Sequence, residues 1–518
     1  MSASRLPAPH GPSLLRNPLS FLGWMIATVS FFTGLVLIVT DIIWFSENVY
    51  NGIITYMIVP AFLFSGLALV AVGVILEWRR RRRAGLVPEE QRFPHLDLNL
   101  PRHRKVLTTI IVATTLVVAI SAVGGYQAYH FTESVTFCGE ACHKVMTPEF
   151  TAYQGSPHAR VTCVQCHIGP GANAYVKSKA SGLRQVWKYN LDTFELPVAV
   201  PIANLRPARE TCEQCHWPEK FSGDFKRVFW YFAADEENTA RAFHLLMKVG
   251  GASTDTGRVG GIHWHVSRED KVEYWASDAK RTSIPWVRVT YADGRSRVYR
   301  SEGAPEGEPP AEEIRTMDCM DCHNRPSHIY YSPKTSLQKA LVSGRLDRRI
   351  PRLYGTALEL LSENYPDKPT ALAAIEAGLR EVYADSLSSA SLEATIAELS
   401  RIYQNTFFPE QGVDWRTYPN HIGHMHYPGC DRCHDNQHVD EHGASISNDC
   451  NLCHDIIAQP SGEAAFGPVP YVEQPFEHPG GEGWEGMRCS DCHAAEAPPP
   501  STLMLRRGAR KEAEPPAG

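Results

Sequence analysis

The chain has 518 residues, with 51 Lys or Arg against 57 Asp or Glu and a formal net charge of −6, too near balance to select a partner by charge. Its 14 cysteines exclude more: all lie in close pairs followed at once by a histidine. That leaves none for a disulfide framework, and one pair plus one histidine is not the two converging pairs of a structural zinc site.

Three apolar stretches come first, at 19–45, 54–76 and 106–130. Each is long enough to cross a hydrocarbon core of about 30 Å. The first is too long for a cleaved signal peptide and lacks a small-residue cleavage site. The loop 77–105 holds nine Lys or Arg, including the run Arg79 to Arg83, whereas 46–52 holds none. The positive-inside rule puts this loop in the cytoplasm, with the N-terminus (1–18), and sends everything after the third helix to the outer side. A basic run abutting a membrane helix sets topology or meets anionic lipid, so the bilayer and not nucleic acid is its expected partner.

The cysteine motifs follow. Six read Cys-x-x-Cys-His: Cys163/Cys166/His167, Cys212/Cys215/His216, Cys319/Cys322/His323, Cys430/Cys433/His434, Cys450/Cys453/His454 and Cys489/Cys492/His493. The first, Cys138/Cys142/His143, is one residue wider. Two thiols that add to the vinyl groups of one porphyrin, with the next imidazole turned onto its iron, require this pattern, so seven haem c groups are expected.

Each motif then has roughly 55 residues of exported chain, too few for a separate side-chain core. The porphyrins are expected to supply much of the core, and short helices to lead into each motif. The motifs form a group of four within 131–332 and a group of three within 409–495. An insertion at 217–318 interrupts the first group and contains a hairpin signature: Val287, Val289 and Tyr291 alternate with Arg288 and Thr290 before Asp293-Gly294. A second insertion, 333–408, reads as helices, with Leu372, Ile375, Leu379 and Val382, then Leu392, Ile396, Leu399 and Ile402, at helical spacing. The tail 496–518 is rich in Ala, Pro, Glu and Arg and is expected to be disordered.

An iron with protein ligands on both faces moves electrons, whereas one with an open face can bind a substrate. Outside the motifs, His130, His158, His244, His263, His265, His328, His421, His424, His426, His438, His442 and His478 are available. All but His130 and His244 are candidate second ligands. His263 and His265 flank Trp264; in an extended segment both would share one face.

The segment from Phe137 to His167, FCGEACHKVMTPEFTAYQGSPHARVTCVQCH, together with Cys319-x-x-Cys322-His323-x4-His328, resembles the NapC/NirT family of membrane-anchored quinol-oxidising cytochromes. The likeness covers roughly 106–330 outside the insertion. It implies Met146 as an unusual ligand at the first haem, His158 and His328 as distal ligands within the group, and Lys179 facing the second haem. Family members place the methionine two residues after the motif histidine; here it is three after, which leaves both His143 and Met146 as candidates for the first iron. No motif ends in lysine, the mark of the catalytic haem in multihaem nitrite reductases. The whole layout is similar to seven-haem inner-membrane cytochromes of metal-reducing bacteria, which pass menaquinol electrons toward extracellular acceptors.

The expected fold class is therefore mostly α with little regular secondary structure: three transmembrane helices (19–130) plus a periplasmic heptahaem cytochrome c domain with a small β-hairpin insertion. The expected location is a bacterial inner membrane. The expected activity is oxidation of menaquinol from the membrane quinol pool, with electrons passed to periplasmic c-type cytochromes or a reductase. Quinol oxidation also releases protons, and Asp41, His130, Glu133, Glu140 and Lys144 are the candidates to receive them. Two alternatives are a quinol-dependent terminal reductase of a small oxyanion at an open-faced haem, and a dedicated donor to one periplasmic reductase.

Overall fold

A computed structural model describes residues 14–44, 54–84, 97–169, 171–200, 206–251, 260–483 and 486–493, of which about half are helical. The chain divides into two compact units, Met1–His143 and Lys144–Gly518. The tail 496–518 and residues 85–96 of the basic loop lie outside the described residues.

In the first unit, α1 spans Pro18–Trp44, α2 spans Val59–Arg83 after a π-helical turn at Ile54–Ile58, and α3 spans Pro101–Thr132. All three are long and apolar enough to cross a membrane. Proline at the first turn of α2 and α3 starts both helices where its missing N–H costs nothing. α1 and α2 pack through small residues. A Cβ on Gly66 would lie 2.7 Å from Ala27 N and 2.8 Å from Gly23 O, and one on Gly73 would lie 2.5 Å from Ser20 Oγ. The backbones therefore touch, as van der Waals association in lipid demands, where apolar burial provides no drive. The Ser20 hydroxyl adds a 3.3 Å hydrogen bond to the Val70 carbonyl. Arg80 to Arg83 fill the last turn of α2, where cations favour the helix dipole.

The second unit opens with helices around the early motifs: α4 (His143–Gln154), α5 (Cys163–His167), α6 (Ala172–Asn190) and α7 (Ala208–Cys212). The first insertion holds more β structure than one hairpin. β1 (Phe225–Phe232) and β2 (Ala240–Met247) pair antiparallel, and β2 pairs in turn with β7 (His454–Ala458), which starts on the sixth motif's own histidine. The hairpin read from the sequence is β4 (Trp286–Thr290) and β5 (Ser296–Arg300), turning at Gly294 with φ +83°. It lies in a four-stranded sheet with β3 (Lys271–Trp275) and β6 (Arg315–Thr316), in the order β5-β4-β3-β6. Val272, Tyr274, Ile284, Val287, Val289, Tyr299 and Met317 form its buried face. α8 (Cys319–Cys322) follows at once.

The second insertion forms α9 (Pro333–Val342), α10 (Leu353–Ser362), α11 (Lys368–Tyr383) and α12 (Ser389–Thr406). Ser332, Asp367 and Ser388 cap α9, α11 and α12 by accepting from Thr335, Thr370 and Ser391 N–H. The apolar stripes meet in one core that includes Ile375, Leu379, Leu392, Ile396, Leu399 and Ile402. Val382 does not join it: it is exposed, and Tyr383 takes the buried position. Phe232, Ala240 and Ala242 of the first sheet share this core. Asn238 pins the two insertions together, donating to the Arg348 and Ile350 carbonyls at 3.0 and 2.7 Å while accepting from Tyr354 N–H at 2.7 Å. The second unit thus has more regular structure, and a larger side-chain core, than the expected fold class allowed. The last motif forms α13 (Cys489–His493).

Gly66→Val should lower the thermal unfolding midpoint of the detergent-solubilised protein, because overpacking a close contact costs about 1–3 kcal/mol. Gly125→Val, where a new Cβ meets nothing within 4 Å, should leave it unchanged; equal effects would show that α1 and α2 do not pack through Gly66. Leu379→Ala, at a fully buried position, should cost about 2–5 kcal/mol, read as a shift of the denaturant midpoint followed by circular dichroism.

Candidate haem centres

Local hydrogen bonding shapes the motifs. At α5, Gln165 accepts from the Thr162 N–H at 2.8 Å, and at α8, Asp321 accepts from the Asp318 N–H at 2.8 Å. In the last motif Asp491 does the same for Arg488 N–H at 3.2 Å. In each case the residue before the second cysteine reaches back and closes the turn, and at α5 and α8 the bond is half of a capping box. The wide first motif needs a different turn. Phe137–Ala141 forms a π-helical turn, and its longer hydrogen-bonded loop takes up the extra residue between Cys138 and Cys142.

The 14 cysteines are not equally enclosed. Cys215 and Cys492 are exposed, as are Cys430 and Cys450, whereas Cys138, Cys142, Cys163, Cys166, Cys212, Cys319, Cys322, Cys433, Cys453 and Cys489 are partly buried. Cys215 follows α7 in a turn closed by its own N–H donating to the Cys212 carbonyl at 3.1 Å, and Cys492 lies in the five-residue α13. Both residues keep their place as attachment candidates.

The motif histidines are not isolated. His167 faces His328 with ring centres 6.3 Å apart, His216 faces His158 at 6.2 Å, and His323 faces His263 at 6.5 Å. His434 faces His265 at 5.8 Å, His454 faces His424 at 6.3 Å and His493 faces His478 at 6.4 Å. A metal–imidazole bond of about 2 Å on each side, plus about 1 Å from each ring nitrogen to its ring centre, sets two axial imidazoles roughly 6 Å apart. The pairs have that spacing, so the residues fit an iron between them.

The ring nitrogens agree. The Nδ1 atoms of His158, His265, His328 and His434 lie 3.3, 2.8, 3.0 and 2.8 Å from the carbonyls of Pro326, Ile262, Glu149 and Ser447, and that of His263 lies against the Val249 carbonyl. A proton held on Nδ1 leaves Nε2 free for a metal. Burial also favours the neutral, coordinating form: it lowers the pKa of His167, His263, His323, His328 and His454, and pushes His265 down to about 4. Beside His328, the Glu149 carboxylate at 3.1 Å pulls the other way.

Other candidates are placed differently. His438 spends both ring nitrogens inside the protein, with Nδ1 2.8 Å from Asp435 and Nε2 2.7 Å from the Ile284 carbonyl. His421 turns Nε2 to the Lys280 carbonyl at 3.0 Å. His426 lies against Trp415 at 5.6 Å, and His442 is beside Glu441 with an exposed side chain. Lys179 sits 4.8 Å over the Tyr175 ring, and Met146 is half-buried on α4. The segment of His263 and His265 is a 3₁₀ turn, not an extended strand, and its two histidines face different motifs.

The proton-accepting candidates fall in separate units. The side chains of Asp41 and His143 lie outside the described residues. His130 packs on Tyr126 at 4.4 Å and Tyr129 at 5.5 Å, at the end of α3, where Phe131 stacks edge-on to Phe137 of the first motif's turn at 5.2 Å. Glu133 caps α3, its N–H donating to the Tyr129 carbonyl at 3.1 Å, and Glu140 sits in the π turn. Lys144 donates to Asp192 at 3.0 Å, and that hydrogen bond and charge hold its ammonium above the usual pKa range.

Residues 100–201 match the model of the NapC/NirT cytochrome c family, N-terminal region. Over 497 residues, 93% of this chain and 96% of the relative, the chain is 45% identical to the cytochrome c-type protein ImcH of Geobacter sulfurreducens (strain ATCC 51573 / DSM 12127 / PCA). No solved structure matches it at a significant level. Helices able to span a membrane, repeated Cys-His motifs and this similarity along nearly the whole length agree: the chain belongs to the membrane-anchored multihaem c-type cytochromes of the NapC/NirT family, which carry electrons.

Proposed function

We propose that the chain binds seven haem c groups, one per motif, and oxidises menaquinol, delivering the electrons to periplasmic cytochromes with its N-terminus in the cytoplasm. The observation that carries this reading is the set of six facing histidine pairs. When bound, haem c supplies one-electron redox chemistry at an iron, and an imidazole on each face closes that iron to substrates. A terminal reductase needs an open face, so these pairs favour electron delivery over reduction of an oxyanion.

Placement favours quinol as the donor. α3 ends at Thr132 and the turn that carries Cys138 begins at Phe137, so the first motif follows directly on a candidate membrane span. A bilayer-dissolved quinol can reach this motif without leaving lipid, and the aromatic rings of Phe131 and Phe137 offer it an apolar surface. Each menaquinol that becomes menaquinone yields two electrons and two protons. Asp192 favours the protonated form of Lys144, which leaves His130, Glu133 and Glu140 as the candidates beside this motif. The basic loop after α2 supports the cytoplasmic N-terminus, and the three-motif group would meet the soluble acceptor.

In liposomes under anaerobic conditions, a menaquinol analogue should reduce the haems within minutes. Haems that stay oxidised while dithionite reduces them would sink the quinol reading. Pyridine haemochromogen assay against protein mass should give seven haems per chain, and a count of six or fewer would contradict the one-per-motif assignment.

A further inference from the structure

The two groups of motifs are separated in sequence by the helical insertion, yet one short turn touches both. Ile262–Val266 is a 3₁₀ turn in the first insertion. His263 faces His323 of the fourth motif at 6.5 Å with the rings nearly parallel, 7° apart, and His265 faces His434 of the fifth motif at 5.8 Å with the rings at 77°. Two residues apart, their Cα atoms lie within about 7 Å of each other.

The turn is held from several directions. Its Trp264 indole donates to Asp270 at 2.7 Å and packs against the core of the four-stranded sheet, which Cys433 of the fifth motif also touches. Arg209 of α7 donates to the Val266 carbonyl at 3.2 Å, and Phe221 lies 4.6 Å from His263. The two motifs also clamp each other. Arg432, buried between the fifth motif's cysteines, donates to the Asp321 carbonyl of the fourth at 2.7 Å and to the Arg281 carbonyl at 2.9 Å. Arg281 in turn meets the fully buried Asp321 carboxylate at 2.7 Å, which Tyr274 of β3 also donates to.

We infer that this turn is the junction between the two haem groups, with His263 the second axial ligand at the fourth motif and His265 the second axial ligand at the fifth. The assignment rests on the haem reading above and makes the first insertion, absent from the region that resembles the family, the element that couples the four-motif group to the three-motif group. The turn and the Arg432 clamp together keep the two centres at a fixed separation, whatever the helical insertion between them in sequence does.

The test is electron paramagnetic resonance of the oxidised, full-length protein. Nearly parallel axial rings give a rhombic low-spin signal, and nearly perpendicular rings give a strongly anisotropic one. His263→Ala should remove one rhombic component and His265→Ala one anisotropic component. Each variant should gain one high-spin haem per chain at an unchanged haem count, and the double variant two. Added imidazole should restore the low-spin state. Variants that stay wholly low-spin, or a high-spin signal that imidazole does not reverse, would overturn the assignment. If the alanine variants fail to mature, His263→Met and His265→Met keep a ligand in place, and each should raise the midpoint potential of one haem; redox titrations identical to the parent would equally reject it. None of these readouts uses quinol, so a failure of menaquinol oxidation leaves the ligand assignment standing, whereas a low haem count would count against the reading beneath it.

Discussion

The ring-to-ring spacing of the facing histidines is the constraint around which the second unit is organised. Imidazoles must be held roughly 6 Å apart to share a metal, and most of their partners come from distant sequence. His167 meets His328, His216 meets His158, and His434 meets a histidine from the first insertion. A tolerance of a few tenths of an ångström cannot be kept by loops alone. The sheets, the helical core and buried contacts such as Asn238 supply the stiffness. Seen this way, the two insertions are the framework on which the motifs hang.

The attachment motifs were legible in the sequence because covalent chemistry imposes their spacing locally. The facing partners were only half legible. His424 is brought to His454 while His421 and His438 serve carbonyls and a carboxylate, and nothing in the residue string separates the three. The pairing is made through space, and only the tertiary arrangement decides which imidazole arrives with Nε2 free. His158 and His328 were more readable because they sit at fixed offsets within a pattern shared with a family. Assuming an extended chain at His263 and His265 missed the 3₁₀ turn, and with it the fact that neighbours can serve different motifs.

Secondary structure shows the same division. The helical stripes in the second insertion were strong because each helix buries one continuous face, and Val382 fails only at the end of α11, where Tyr383 covers the core instead. β4 and β5 were announced by alternation and an Asp-Gly turn. β1 was hidden by bulky residues on both faces, and β7 by its overlap with a cysteine motif. In the membrane unit, apolar length identified the spans, but the contact of α1 with α2 depends on which glycines face each other.

The start of β7 at His454 has a consequence for the order of assembly. This strand finds its place against Met247 and its neighbours, some two hundred residues earlier in the chain. Long-range pairings of this kind form late, after local turns and helices. A chain that emerges from its N-terminus onward can therefore complete the helical core while the edge of β2 still lacks its partner. The sixth motif remains outside the finished fold until then, with its cysteines reachable by whatever attaches the cofactor, and closure of the sheet converts that open segment into a fixed wall.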